Sequence, residues 1–141
     1  MKTLPTNHSS SYVELALRTE LKDYELVSKR YTPSVARIDH AVRGLATETG
    51  ELLDMIKKHI NYGKEFDRVN AIEEVGDLFW YLAVICDELG VSFEEVQNIN
   101  VEKLKKRYGE KYSDSNALNR DVDQERALLE TLEKEVSSPE L

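Results

Sequence analysis

The spacing of apolar residues along this chain follows the period of α-helices. Apolar side chains recur every three or four positions from about Ser11 to Tyr31 and again from about Val35 to Tyr62. Residues at this spacing share one face of a helix, so each stretch presents an apolar stripe. The pattern therefore predicts a first long helix over 11–31 and a second over 35–62.

A third predicted helix, from about Arg68 to Leu89, is apolar on nearly every side after Asp77. Its apolar residues there are Phe79, Trp80, Leu82, Val84 and Ile85. A helix of this kind is buried, and in a chain of this size we expect it to pack against a partner subunit as well. Within it, Trp80 is expected to pack in the core, and Cys86 is expected to be a buried thiol.

Breakers and capping residues separate the predicted helices. Proline pushes the residue before it out of the α region, and glycine suits the residue that follows a helix. The breakers are Pro33, Gly63 and Gly90. Ser92 and Glu95 have the spacing of a capping box and begin a fourth helix, and a last amphipathic helix is predicted from about Asp121 to Val136. The scarcity of other breakers favours an all-α helical bundle of four to five helices.

Length and composition are typical of one soluble globular domain. The chain has 141 residues, of which 40% are hydrophobic and 33% charged. This length supports a single good core. We expect one all-α domain over residues 11–136, with disordered tails at residues 1–10 and 137–141, where polar residues dominate.

Charge and cysteine content narrow the possible partners and the compartment. A formal net charge of −8 argues against a nucleic-acid polymer as partner, because phosphate backbones need a basic surface. A small anionic ligand delivered with metal ions remains possible. No apolar run approaches the roughly 20 residues of a membrane span, the start lacks a signal region, and the single cysteine fits a reducing compartment. We expect a cytoplasmic protein without membrane contact.

Two acidic pentads carry the candidate chemistry. Glu48-Thr-Gly-Glu51-Leu and Glu74-Val-Gly-Asp77-Leu share the order carboxylate, any residue, glycine, carboxylate, leucine. Each pentad points two carboxylates to one face of its helix, and two packed helices would bring four carboxylates together. Such a group cannot be fully ionised in a packed interior without a cation, and Mg²⁺ prefers oxygen ligands of this kind. The pattern predicts a Mg²⁺ site between two helices.

A glycine precedes the second acid of each pentad. A glycine inside a helix costs about 1 kcal/mol relative to alanine, and Gly50 and Gly76 repeat that cost at equivalent places. We expect a close backbone approach at these two positions, either at the metal or at a helix crossing.

Three other interpretations of the acidic residues compete with this site. Carboxylates three positions apart arise often in an acidic chain and usually face water. A di-iron bundle needs Glu-x-x-His, and no histidine of the chain has an acid three residues before it. A calcium loop beginning at Asp121 fails because its sixth position is Arg126 rather than glycine.

A basic helix face accompanies the acidic residues. Asn100, Lys103 and Arg107 lie on one face of the fourth helix and could clamp phosphate oxygens, although a basic face is often only solvated. Lys58 lies two helical turns after Glu51 on the same face. It could reach a ligand phosphate, extend into solvent, or complement the helix dipole.

The motif Glu-x-x-Glu, 22 residues, Glu-x-x-Asp resembles that of the MazG-like nucleotide pyrophosphohydrolases, part of the all-α NTP pyrophosphatase superfamily. The resemblance runs from about His40 to Tyr112. It includes the lead-in His40-Ala-Val-Arg-Gly-Leu, the acids and aromatics of residues 73–81, and Asn-x-x-Lys-Leu-x-x-Arg-Tyr at residues 100–108. Thr47 departs from the pattern, since many relatives have a second glutamate there.

The resemblance implies a Mg²⁺-dependent hydrolase that cleaves a nucleoside triphosphate between the α- and β-phosphates. The implied metal ligands, which would hold two or three Mg²⁺ ions with Mn²⁺ as a substitute, are Glu48, Glu51, Glu74 and Asp77. Either Glu48 or Glu51 would orient the attacking water or accept its proton. The implied substrate-binding residues are Lys58, Lys103 and Arg107 for the pyrophosphate, Asn100 and Tyr108 for phosphate, sugar or base, and His40 for the nucleotide pocket.

The same resemblance implies an intertwined homodimer or a dimer of dimers, with the site at a subunit boundary. Trp80 or Tyr81 could stack on a base, and His40 could equally be an ordinary surface histidine. Base preference stays open, with a purine dNTP such as dGTP as one candidate. Two other functions also stay open: a non-catalytic nucleotide- or metal-binding helical regulator, and a hydrolase of phosphoribosyl-ATP or of a modified nucleotide.

Overall fold

The computed structural model describes residues 11–136, and all regular secondary structure within them is helical, which confirms the all-α fold class. The helices are α1 (Tyr12–Ala16), α2 (Tyr24–Arg30), α3 (Pro33–Tyr62), α4 (Arg68–Glu88), α5 (Phe93–Tyr108), α6 (Asp114–Leu118) and α7 (Val122–Glu133), with a 3-10 turn at Leu17–Thr19 after α1. The predicted tails at 1–10 and 137–141 lie outside the described residues. No described helix combines the length and apolar character that a bilayer crossing requires.

Contacts divide the chain into two compact units, which meet in sequence between Thr32 and Pro33. The single helix predicted over residues 11–31 is wrong, because α1 and α2 are separated by a turn and by extended residues. The Thr19 hydroxyl donates to the Ala16 carbonyl at 3.2 Å, and the Asp23 side chain accepts from the Leu26 amide at 2.9 Å. Such local side-chain hydrogen bonds offer the backbone an alternative to a continuous helix.

In the second unit, α3 and α4 pack along each other as an antiparallel helical hairpin. At one end, the Arg37 guanidinium near the start of α3 pairs with Asp87 at 2.5 Å and Glu88 at 2.8 Å near the end of α4. At the other end, Gly63 follows α3 with a φ of 64°, a conformation that glycine adopts without steric cost. The observed bounds lie within two residues of the predicted ones.

A close contact within the hairpin is at Gly44. The ring of Tyr81 lies over this buried glycine, so that a Cβ atom there would be 2.1 Å from Tyr81 Cζ. The helix crossing expected at Gly50 and Gly76 is wrong for the described chain, since a Cβ at either position would meet no atom of another element within 4 Å. Close approach of these glycines to a metal stays a prediction. Each glycine precedes an exposed acid on the open side of its helix.

The apolar side chains of α4 are much more exposed than the pattern predicted. Trp80 is 56% exposed and Phe79 is 54% exposed, so the prediction of a fully buried helix is wrong for this chain alone. Cys86 is half-buried rather than buried. The physical reason is that α3 covers one side of α4 and no other described helix of the second unit packs on it extensively.

The other helices of the second unit, α6 and α7, pack against α5. The capping box at its start is confirmed, with the Glu95 amide donating to Ser92 Oγ at 3.2 Å and the Ser92 amide donating to Glu95 at 2.7 Å. Helix α5 packs mainly against α7 and the short helix α6. The sequence pattern did not predict α6, which begins after Ser113, and α7 begins after the capping residue Asp121, as predicted.

Candidate metal centre

Three carboxylates of the two acidic pentads meet between α3 and α4. One oxygen from each of Glu48, Glu74 and Asp77 lies within 4.8 Å of the others. Glu48 projects from α3, whereas Glu74 and Asp77 share a face of α4 because they are three residues apart. Glu74 is 4% exposed, Glu48 is half-buried and Asp77 is exposed. We call this group the acidic cluster.

Burial and crowding raise the pKa of the Glu48 carboxyl above its ordinary value. Desolvation is the largest cause, followed by a hydrogen bond shared with Glu74 and by the charges of Glu51, Glu74 and Asp77. Repulsion of this kind disfavours full ionisation of the cluster. A bound cation would remove that repulsion.

The donor set of the acidic cluster fits a hard divalent cation. Mg²⁺ binds oxygen at about 2.1 Å, so two oxygens on one ion lie at most about 4.2 Å apart. The cluster oxygens are within 4.8 Å of one another, and small side-chain rotations would bring them to that range. The alternative of solvated surface acids does not suit Glu74, because its side chain is buried.

Glu51, the fourth predicted ligand, is exposed and is not part of the acidic cluster in the described structure. Its charge nevertheless contributes to the raised pKa of Glu48 and, more weakly, to the raised pKa of Lys58. Glu51 is therefore close to both. The Lys58 ammonium pairs with Asp54 at 2.6 Å, which is the main cause of its raised pKa.

Asn70 was missed by the sequence analysis. Its side-chain amide donates to Glu74 Oε1 at 2.5 Å, one helical turn before the acid it contacts. The same residue lines a cavity of about 220 Å³ at the turn between α3 and α4, and the charged residues around that cavity are Lys58, Lys64, Glu65 and Asp67. The spacing of four residues from Glu74 was the only signal in the sequence.

The predicted basic face lies on α5, which packs mainly against α7. Asn100 is exposed and Lys103 is half-buried. The Arg107 guanidinium donates through Nε and Nη2 to the buried Glu125 of α7, at 2.7 Å and 2.6 Å. Arg107 is thus paired within the chain, a partner that the sequence analysis did not foresee.

The two remaining predicted binding residues, His40 and Tyr108, each contact aromatic rings. The exposed His40 ring lies edge-on to Trp80, with centroids 6.4 Å apart, and to Tyr81 at 5.9 Å. Tyr108 is the last residue of α5, and the centroid of its ring lies 5.4 Å from that of Tyr112. The prediction that Trp80 packs in a core is wrong for this chain, because more than half of its side chain is exposed.

Comparison with known families bears directly on this site. The family model of the MazG nucleotide pyrophosphohydrolase domain matches residues 38–110, just over half of the chain. This range contains the whole acidic cluster, Asn70 and the basic face of α5. A search of curated proteins and a search of solved structures gave no match. The chain belongs to the MazG nucleotide pyrophosphohydrolase domain family.

Proposed function

We propose that this protein is a Mg²⁺-dependent nucleoside triphosphate pyrophosphohydrolase that releases a nucleoside monophosphate and pyrophosphate. The observation that carries the proposal is the acidic cluster, in which carboxylates from two helices of a MazG domain lie within 4.8 Å of one another. Glu48, Glu74 and Asp77 would hold the cation. Glu51 would join them after a rotation of its exposed side chain, and the completed site would hold two or three Mg²⁺ ions, or Mn²⁺ in their place.

Each group of residues has a separate role in this proposal. Bound Mg²⁺ would polarise the phosphoryl oxygens and would lower the pKa of a water molecule bound to it. Either Glu48 or Glu51 would orient the attacking water or accept its proton. Glu48 has a raised pKa and a hydrogen bond to Glu74, so its carboxylate is engaged within the cluster.

Cationic and polar side chains would neutralise and position the substrate. Lys58, Lys103 and Arg107 are proposed to compensate the charge of the departing pyrophosphate. Asn100 and Tyr108 are proposed to contact phosphate, sugar or base. His40, edge-on to two aromatic rings at the surface of the hairpin, is proposed to line the nucleotide pocket.

We also propose a homodimer or homotetramer with the site at a subunit boundary. The exposed apolar face of α4, which includes Val75, Phe79, Trp80 and Leu82, supports this assembly. Contiguous exposed apolar surface of this kind is typical of protein–protein contacts. A second copy could also bring its α5 face toward the acidic cluster.

A panel of NTPs and dNTPs, each with and without Mg²⁺, tests the reaction and the base preference together. We expect pyrophosphate only when Mg²⁺ is present, with purine dNTPs such as dGTP among the preferred substrates. Release of orthophosphate, or no release of pyrophosphate from any nucleotide, would contradict the reaction. Tight nucleotide binding without turnover would indicate a regulator, and preferential turnover of phosphoribosyl-ATP or a modified nucleotide in competition would indicate a specialised hydrolase.

Substitution of the acidic cluster tests its role in turnover. Glu74→Gln and Asp77→Asn keep the side-chain shape but remove the charge that would bind the cation. We expect turnover to fall by more than the about 10- to 100-fold typical of outer-shell partners, with the helical content unchanged. Glu133→Gln, at an exposed position of α7, is the matched control. Full activity of both cluster variants would contradict the proposal that the acidic cluster binds the cation needed for turnover.

A further inference from the structure

Asn70 is the half-buried polar residue that connects the acidic cluster to the neighbouring cavity. Its Nδ2 atom donates to Glu74 Oε1 at 2.5 Å, and the residue lines the cavity of about 220 Å³ at the turn between α3 and α4, where lysines and acids both border the space. Its backbone amide donates to the Asp67 side chain at 3.0 Å, which fixes the first turn of α4. Both the backbone and the side chain of Asn70 are therefore held in place.

The choice of asparagine at this position is not explained by helix formation. Asparagine is a weaker helix former than alanine, because its side chain competes for backbone hydrogen bonds. The Asn70 side-chain amide instead donates a hydrogen bond to the carboxylate of Glu74, a residue that is only 4% exposed. Hydrogen bonds to a charged acceptor are stronger than neutral ones, and a buried carboxylate without a donor is costly.

We propose that Asn70 is the positioning residue of the metal centre and that it orients Glu74 for a divalent cation. The amide donor holds Oε1 of Glu74 and restricts rotation of the carboxylate, so that Glu74 faces the acidic cluster in one orientation. Residues that hydrogen-bond metal-binding side chains fix their orientation and raise metal affinity. This inference rests on the proposed function, because it assumes that the acidic cluster binds the cation.

Mn²⁺ binding to the full chain, measured by the electron paramagnetic resonance signal of free Mn²⁺, tests the proposal without relying on activity. Asn70→Ala removes the donor, and Asn98→Ala removes an exposed asparagine of α5 as the matched control. Glu74→Gln defines which part of the binding belongs to the acidic cluster. We expect Asn70→Ala to raise the Kd of that part by about 10- to 100-fold, and Asn98→Ala to leave it unchanged.

Two further variants separate positioning from folding. Asn70→Leu fills the same volume without a donor and should weaken Mn²⁺ binding as Asn70→Ala does, whereas Asn70→Gln keeps an amide and should recover part of the affinity. If wild type binds Mn²⁺ at the cluster and both donor-free variants bind it equally well, the positioning role is wrong and the proposed function stands. If wild type shows no binding that Glu74→Gln removes, the proposed function fails and the role of Asn70 fails with it.

Discussion

Gly44 marks a tight contact between the two long helices of the hairpin. The ring of Tyr81 occupies the space that a side chain at Gly44 would need, and the same ring lies edge-on to His40. The sequence directed attention instead to Gly50 and Gly76, because they precede the acids. Where two helices come closest depends on how both are rotated about their axes, and the acidic motif alone carries no information on that rotation.

Gly44→Ala should destabilise the hairpin, because its Cβ would lie 2.1 Å from the Tyr81 ring. Overpacking of this kind costs about 1–3 kcal/mol, and we expect that loss in the free energy of unfolding measured with urea. Gly50→Ala is the control, since the space around it is open and alanine favours a helix by up to about 1 kcal/mol. Equal effects of the two substitutions would contradict a specific contact at Gly44.

At the acidic cluster, the sequence was informative because two simple regularities act together. Residues three apart share a helix face, and a short connection makes neighbouring helices antiparallel, so Glu48 meets Glu74 and Asp77. The contribution of Asn70 could not be identified in this way. An amide four residues before an acid is common on solvated helices, and only the buried position of Glu74 gives it a special role.

At the scale of helices, a buried ion pair between Glu125 of α7 and Arg107 of α5 joins these two helices. Glu125 is 5% exposed and accepts from Arg107, 18 residues earlier, and from Arg120 at 2.9 Å. The two arginines lower the pKa of Glu125 to about 2, with the hydrogen bond from Arg107 as the largest cause. The sequence showed Arg107 only as part of a basic face, because helical periodicity cannot pair residues from different helices.

The stability that Glu125 contributes should depend on pH. Its pKa in the folded protein is about 2, below the ordinary 4.5, so the folded state favours the ionised form. The contribution is therefore fully present above about pH 4.5 and is lost as the pH falls toward 2. We expect Glu125→Gln to lower the melting temperature by several degrees at neutral pH, and the difference from wild type to shrink over this range.

A second glutamate of α7 serves as the matched control. Glu130 pairs with Arg126 at 2.6 Å, but both side chains are more than half exposed, and exposed pairs contribute little to stability. Glu130→Gln should leave the melting temperature nearly unchanged at every pH. A shift as large as that of Glu125→Gln would show that the general loss of negative charge, rather than the buried pair, explains the effect.

The first unit shows the limit of apolar periodicity at the same scale. Its leucines and tyrosines recur at nearly helical spacing, yet the chain forms two short helices with extended residues between them. The side chains of Thr19 and Asp23 bond to nearby backbone groups at the break. Periodicity reports which residues could share a face, whereas these local bonds decide where a helix ends.

At the scale of the whole molecule, little apolar surface is buried within the described chain. Ala41 and Met55 are its buried hydrophobic residues, whereas many large apolar side chains are exposed. An exposed surface of this extent in a stable protein is typical of an interface between subunits. The sequence anticipated the excess of apolar residues on α4 but not which of them another part of the same chain would cover.

Leu82→Lys should weaken the proposed assembly, because it places a charge in the apolar face of α4, where Leu82 is 39% exposed. We expect wild type to behave as a dimer or tetramer in light scattering after size-exclusion chromatography, and the variant to shift toward the monomer. Leu118→Lys is the control, since that side chain of α6 is 83% exposed. A monomeric wild type at micromolar concentration would contradict the assembly.

The pairing of Arg107 with Glu125 has a practical consequence for anyone who prepares fragments of this protein. The family match ends at residue 110, but the carboxylate that compensates Arg107 lies fifteen residues beyond it, on α7. A fragment trimmed to that limit would lack Glu125, and with it both the ion pair that joins α5 to α7 and the packing of α7 on α5. Expression clones should therefore extend through Glu133, where α7 ends.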